Sequence, residues 1–304
     1  MAEQVERTVR FFEASVRDQD GQRVEQRSGV TVFDSAHAYA MDDAEGRYRQ
    51  IRRNGVDYTG WADVAAVSIS DFLLIGKVRR SADNPGVTAF GGPPTPLELG
   101  RGRLVEPTYV VPVPGTPYIA TLGTSSGPRS GAVAEWLTHV GRYADSNLMI
   151  ELLPVLRRDA FDRLQQATAA TGFTVRLPAN AEPGRLGHLG RMFDAARGFA
   201  SEEGVLTVSF SLGRHKAGRD SETDLLDIVD EVARASEVPG AKHASANLRI
   251  PGSTGEQTRA VDFIADKLTT KVKLVVEDGA PLSHEAVVSR LVEAIGEARP
   301  HLPR

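Results

Sequence analysis

The stretch Glu106–Val140, EPTYVVPVPGTPYIATLGTSSGPRSGAVAEWLTHV, decides the fold class. Tyr109–Val113 and Tyr118–Leu122 are short runs rich in β-branched and aromatic residues, joined across the turn signal Pro114-Gly115. Two strands so close in sequence read as a hairpin, because a parallel pair needs a long crossover between its strands. After Gly131 the period changes. Val133, Trp136, Leu137 and Val140 fall at i, i+3, i+4 and i+7, one face of an amphipathic helix.

The same two periods recur on both sides. Towards the N-terminus, Thr8–Arg17 is extended and ends in the turn Asp18-Gln19-Asp20-Gly21, and Val32–Met41 reads as a short helix. Arg47–Arg53 leads through the hairpin signal Asn54-Gly55 into Val56–Trp61, and Phe72–Val78 is a further strand. Asn84–Gly102, with Gly91-Gly92-Pro93-Pro94, reads as a long exposed loop. Towards the C-terminus come a strand at Leu148–Leu153, a helix over Asp159–Ala170 and a strand at Phe173–Leu177.

Leu189, Met192, Phe193 and Ala196 mark a helix, and so do Leu225, Ile228, Val229 and Val232, with Ser221 and Asp224 spaced as a capping box. Leu206, Val208, Phe210 and Leu212 alternate with Thr207, Ser209 and Ser211. Ala246, Leu248 and Ile250 alternate with Ser245, Asn247 and Arg249, and Val272, Leu274 and Val276 with Lys271, Lys273 and Val275. A last helix starts at Ser283 as N-cap and buries Val288, Leu291, Val292 and Ile295.

These elements predict a mixed α/β protein of the α+β kind, with largely antiparallel sheets and packed helices. Two subdomains are expected, joined by a hinge at Ala179–Gly184. Residues 1–180 form an N-terminal α/β domain. Residues 181–304 form a C-terminal α/β domain with a basic sheet face, whose last helix, 283–298, docks back.

Composition narrows the function classes. The chain has 304 residues, 36 basic and 40 acidic, for a net charge of -4, which excludes a histone-like, globally basic binder. It has no Cys, which removes disulfides, thiolate nucleophiles and Cys-type zinc sites. The charged N-terminus has no apolar signal core, and no stretch reaches the roughly 18 apolar residues of a membrane span. A soluble cytoplasmic protein is expected.

Gly123-Thr124-Ser125-Ser126-Gly127 matches G-x-S-x-G and follows a strand, the context of a hydrolase nucleophile elbow, with His188 and His215 later in the chain. A serine hydrolase using Ser125 is therefore the alternative reading. Against it, the helix starts only near Ser130, which reads as its cap, and the preceding strands form hairpins. A phosphate loop fails because Gly131 is followed by Ala132 instead of Lys, although the helix start at Ser130 suits an anion. Gly100-Arg101-Gly102 lacks the third glycine of a dinucleotide fingerprint. No two of the seven His stand at i, i+4, and Asp262, Asp266 and Lys267 do not fit a nuclease spacing. No catalytic residue, metal or cofactor is expected, and the protein is read as a non-enzyme.

The C-terminal half carries a different signal. Five of the six Lys lie beyond residue 215. The polar faces of its strands present Thr207, Ser209 and Ser211, then Ser245, Asn247 and Arg249, then Lys271 and Lys273. Loops and turns add Arg214, Lys216, Arg219, Lys242, Arg259 and Lys267. Hydroxyls and cations on a sheet face suit a phosphate backbone, and scarce aromatics argue against stacking on single strands.

Glu106-Pro107-Thr108-Tyr109-Val110-Val111, Gly115, Tyr118-Ile119-Ala120, Gly127-Pro128 and Glu135-Trp136-Leu137 resemble the RexA-type phage-exclusion proteins of temperate phages. Met149–Leu153, Asp159-Ala160-Phe161, Gly172–Pro178, the opening Phe12–Arg17 and Asn247–Ile250 continue the likeness in order. The resemblance implies the intracellular sensor of a prophage-encoded abortive-infection system. Such a sensor is a homodimer that binds double-stranded DNA with little sequence preference and acts with a small membrane channel protein of RexB type. Arg249 matches the basic position of the family's corresponding strand, whereas Pro251 stands where a Lys is expected.

Overall fold

The computed structural model describes residues 3–20, 22–24, 29–43, 49–79, 86–87, 95–97, 99, 102–181, 186–201, 203–212, 219–238, 240–253, 255–276 and 282–303. The chain divides into two compact units: Met1–Leu152 with Thr269–Arg299, and Leu153–Leu268 with Pro300–Arg304. Unit 1 begins with β1 (Glu3–Arg17), α1 (Gly29–Asp42), β2 (Gln50–Arg53), β3 (Val56–Ala65) and β4 (Ser70–Val78). It continues through the short β5 (Gly86–Val87) and β6 (Thr95–Pro96) to β7 (Val105–Pro112), β8 (Tyr118–Gly123), α2 (Ser130–Val140) and β9 (Met149–Pro154). Unit 2 holds α3 (Arg158–Gln165), β10 (Ala169–Pro178), α4 (Gly187–Arg197), β11 (Val205–Ser211), α5 (Arg219–Ala235), β12 (His243–Gly252) and β13 (Gly255–Asp262). The chain then returns to unit 1 with β14 (Thr269–Val276) and α6 (His284–Ala298).

The fold is mixed α+β with two antiparallel sheets, as expected. In unit 1 the strand order is β14-β1-β8-β7-β4-β3-β2, with β9 also pairing β1. Asn54 and Gly55 both take positive φ, 47° and 73°, as the predicted two-residue hairpin turn between β2 and β3 requires. The expected long loop at Asn84–Gly102 lies mostly outside the described residues; within it β5 and β6 pair as a small separate sheet.

The register assigns each side chain of the large sheet to a face. One face carries Tyr109 and lies under α6, where the Tyr109 hydroxyl meets His284 Nδ1 at 2.7 Å. Burial pushes the Tyr109 phenol up to about 12. The other face carries Phe12, Leu73, Val110 and Ile119 and packs with Val32, Phe33, Val133 and Trp136 of α1 and α2. Trp136 is fully buried, and its Nε1 donates to the Arg49 carbonyl at 3.0 Å. Its indole fills a notch left by Gly60, where a Cβ would stand 2.1 Å from Trp136 Cζ2. This pin holds α2 against β3.

In unit 2 the order is β11-β10-β12-β13. Phe173, Val175, Leu177, Ala246, Leu248 and Ile250 form its core with Leu189 and Phe193 of α4 and Val229 and Val232 of α5. The expected boundary at 180 falls inside this sheet, since β10 and β11, on either side of it, pair from Gly172↔Ser211 to Pro178↔Val205. The start of the expected hinge is built in: Ala179 is buried, its N–H donates to Gly204 O, and Arg197 Nη2 bonds Ala181 O at 2.7 Å. Residues 182–185 lie outside the described residues.

Three further readings are corrected. The helix expected to run to Ala170 ends at Gln165, because Ala169 and Ala170 already pair with Arg249 and Leu248. α6 starts at Ser283 as expected, whose side chain accepts from Ala286 N at 3.1 Å, but it buries Val287 and Ala294 where Val292 stays half-exposed. Ser221 is not an N-cap, because α5 begins at Arg219.

Candidate nucleic-acid interface

The expected basic face required Arg249, Lys271 and Lys273 on one sheet. They stand on two. Arg249 belongs to β12 of unit 2, whereas Lys271 and Lys273 belong to β14, the edge strand paired with β1 in unit 1. The reason is topological: β14 follows β13 in sequence but pairs with the strand that opens the chain.

Unit 2 does assemble the predicted polar face. Through β10, Thr207 and Ser209 share a face with Ser245, Asn247 and Arg249, and Thr174 Oγ1 lies 2.9 Å from Ser209 Oγ. Arg176 adds an exposed cation there. Acids offset this charge: Glu256 pairs with Arg249 at 3.5 Å and Asp262 with His243 at 3.7 Å. Arg259 lies opposite Leu248 in the register, so it belongs to the face of the sheet away from Arg249. Lys242 is exposed at the start of β12, its N–H on Arg176 O. Lys267 is not a free cation: its Nζ donates to Ser236 O at 3.0 Å and bonds the Glu237 carboxylate, with both side chains 19% exposed. Arg214 and Lys216 lie outside the described residues, and of Arg219 only its position at the start of α5 is described.

Unit 1 carries the stronger positive face. Cross-strand pairs put Lys271 opposite Thr8, Lys273 opposite Glu6 and Thr269 opposite Arg10, and Arg10 in turn opposite Thr121 of β8. This is the sheet face packed by α1 and α2 further along, and here Lys271 and Lys273 are exposed. Lys271, its side chain 70% exposed, bonds Glu6 at 2.6 Å. That bond and the nearby charge of Lys273 hold the Glu6 carboxyl below its ordinary range. Among the described residues no acidic side chain pairs with Arg10 or Arg129, and the one acid beside Lys273 is Glu6, already bonded to Lys271.

The face runs into a cleft of about 330 Å³, bounded by Thr8, Arg10 and Thr121 on the sheet and by Thr124, Ser125 and Arg129 in the loop before α2. This loop is the G-x-S-x-G segment. Its glycines serve packing: a Cβ on Gly123 would stand 2.5 Å from Thr108 Oγ1 and one on Gly127 2.9 Å from it, while that hydroxyl donates to Pro128 O at 3.1 Å. Ser125 is exposed in the loop, five positions before α2 begins, and β8 runs antiparallel to β1 and β7. A nucleophile elbow needs the helix to start at the serine. His188 is engaged with Glu231 in unit 2, and His215 lies outside the described residues. Ser130 is the first helical residue rather than the cap; Arg129 occupies that position without a side-chain capping bond.

Thr8, Arg10, Thr121 and Arg129 were missed as site residues. Thr8 and Arg10 alternate with Val9 and Phe11, a visible sign of a polar face, but only the pairing of β1 with β14 and β8 brings them to Lys271, Lys273 and Thr121. Among the described residues no group of His, Asp and Glu is arranged to hold a metal ion, and no helix is long and apolar enough to cross a membrane. Residues 125–299, more than half of the chain, match a family of unknown function, DUF6731. No curated protein matches the chain.

Proposed function

We propose that this chain, which belongs to the DUF6731 family, binds double-stranded DNA through its phosphates, without sequence preference. The observation that carries the reading is the open face of β14 and β1, where Arg10, Lys271 and Lys273 stand with the hydroxyls of Thr8 and Thr121 around a single carboxylate, Glu6. Exposed cations beside hydroxyl donors recognise the sugar–phosphate backbone, which carries no base information. The net charge of -4 is compatible with this, because the charge that matters is local. The outer face of unit 2, with Arg176, Lys242 and Arg249, is a weaker second contact because Glu256 and Asp262 lie on it.

The likeness to RexA-type proteins supports the cellular role: a cytoplasmic, homodimeric sensor of prophage-encoded phage exclusion that signals to a small channel protein of RexB type. A two-fold dimer doubles the basic face available to one duplex.

The test is the salt dependence of binding to two unrelated duplexes of equal length. Each phosphate contact adds about 0.9 to the slope of log affinity against log salt. Equal affinities with a steep slope support the reading. Affinity unchanged between about 50 and 200 mM salt overturns it.

A further inference from the structure

We propose that β11 is the edge through which two copies of this chain pair, strand against strand about a two-fold axis, so that the sheet of unit 2 continues into its twin. The inference rests on the dimeric part of the reading above, names its surface, and is independent of duplex binding.

β11 is the last strand of its sheet and pairs, among the described residues, with β10 alone. The ladder shows which of its backbone groups are spare. Leu212 N donates to Thr171 O at 2.9 Å beyond one end, and Ala179 N to Gly204 O at 2.8 Å beyond the other, both in register with the strand pairs between them. Antiparallel ladders alternate bonded and unbonded pairs, so Leu206, Val208 and Phe210 turn their N–H and C=O towards β10. Val205, Thr207, Ser209 and Ser211 turn theirs away from it. Such a row of backbone groups is a template for another strand.

Proteins blunt open edges with charge, and three other strands at the sheet margins of this chain are blunted in that way. β2 carries Arg52 and Arg53, β13 carries Glu256, Arg259 and Asp262, and β14 carries Lys271 and Lys273. β11, Val-Leu-Thr-Val-Ser-Phe-Ser, has no charge and no proline. Its apolar side is also unfinished. Phe173, Val175 and Leu177 of β10 are buried, whereas opposite them Phe210 is 45% exposed and Val208 and Leu206 are half-buried. Among the described residues of unit 2, every exposed large apolar side chain lies on α4, on β11 or in the turn between them: Met192, Phe199, Val205 and Phe210. Apolar exposure gathered in one place marks an interaction surface.

The sequence of the edge fits a second copy of itself. A two-fold axis at Val208 sets Leu206 opposite Phe210 and Thr207 opposite Ser209. Apolar residues then meet apolar ones on one face, and hydroxyls meet hydroxyls on the other. The outward N–H and C=O groups of Thr207 and Ser209 become a hydrogen-bonded pair, as the alternation of the ladder requires. A two-fold contact brings like residues together about its axis, so an edge without charge has no self-repulsion to overcome.

The experiment is sedimentation equilibrium of the full chain without DNA, with the folding of each variant checked by thermal denaturation. The wild type is expected to be a dimer. Thr207→Pro removes only an outward N–H, so unit 2 keeps its own ladder while the dimer loses one bond on each side of the axis. Its dissociation constant should rise about 100-fold, tenfold for each lost bond. Thr207→Lys with Ser209→Lys sets like charges opposite each other and should give a monomer. Thr207→Lys with Ser209→Glu sets opposite charges there and should dimerise. A wild-type monomer overturns the edge and the dimeric reading together, and leaves the edge to a strand of another protein. A folded Thr207→Pro as dimeric as the wild type, or a double-lysine variant as dimeric as its lysine–glutamate counterpart, overturns the edge alone, because the dimer then forms elsewhere. If Thr207→Pro does not fold, the two charge variants decide. Duplex affinity is measured on the same samples, since a wild-type dimer that binds no duplex loses the DNA reading and keeps the edge.

Discussion

The outer faces of the two sheets are built from the same kinds of residue and differ in what their charges are doing. On unit 2, Arg249 is met by Glu256 and His243 by Asp262, and nearby Lys267 is held by Glu237 and Ser236. On the open face of unit 1, Glu6 bonds Lys271 and stands opposite Lys273, while Arg10 and Arg129 have no acidic partner among the described residues. A count of basic residues along the C-terminal half therefore points to unit 2, whereas a count of unanswered ones points to unit 1. Charge available for a ligand is a property of pairing across strands, and pairing is set by topology.

The largest expected effect separates the two faces directly. Lys271→Ala combined with Lys273→Ala should lower duplex affinity about 100-fold at low salt, taking about 1.4 kcal/mol for each charged phosphate contact. The double variant also leaves Glu6 facing the ligand alone. Equal loss for unrelated duplexes is expected in a gel shift or anisotropy titration, and a loss confined to one sequence would contradict phosphate readout. Next comes Lys267→Met in unit 2. It should leave DNA affinity unchanged and cost about 1 to 3 kcal/mol of stability, read by urea denaturation, because Glu237 loses the partner of a largely buried pair. A fall in DNA affinity with no loss of stability would make Lys267 a ligand contact after all.

A smaller effect tests the covered face of unit 1 against its open one. The Tyr109 phenol is held near 12 under α6, above its ordinary value of 10.0. The stability this contributes is fully present below the unfolded value and is lost as pH rises from 10 through 12. Tyr109→Phe should flatten that loss in denaturation midpoints measured across the window, and an unchanged alkaline profile would assign the loss elsewhere. The smallest effect is Arg249→Ala, expected to change duplex affinity by about twofold or less, since a half-buried arginine already paired with Glu256 contributes little. A loss matching that of the β14 variant would reverse the ranking of the two faces.

Much of the fold was legible because its strands alternate. Leu206–Leu212 alternates half-buried Leu206 and Val208 with exposed Thr207 and Ser209, Ala246–Ile250 alternates buried with more open positions, and both appear as strands at those places. β13 went unread because Gly255–Asp262 is an edge strand exposed along most of its length, with Val261 as its one buried residue, so no period of two is written into it. The site was harder. Lys271 and Glu6 are 265 positions apart, and no local pattern says that β14 bypasses β13 to pair with β1. The G-x-S-x-G pattern was visible but misleading, because its glycines answer the close approach of Thr108 rather than the needs of a nucleophile.

The pairing of the first strand with the last has a consequence in time. Unit 2 is nearly one continuous segment, Leu153–Leu268, which in sequence separates the two segments of unit 1. A ribosome adding about 5–20 residues per second emits β1 and then takes roughly 13 to 50 s before β14 exists to cover its edge. Over that interval the segment that will meet β14, Glu3–Arg10, is an open strand edge, the kind of surface that recruits other nascent chains. Its own composition guards it: Glu3, Glu6, Arg7 and Arg10 interrupt the apolar residues with charge. The cation Arg10 that borders the cleft in the finished protein is thus also a gatekeeper of the chain while it is being made.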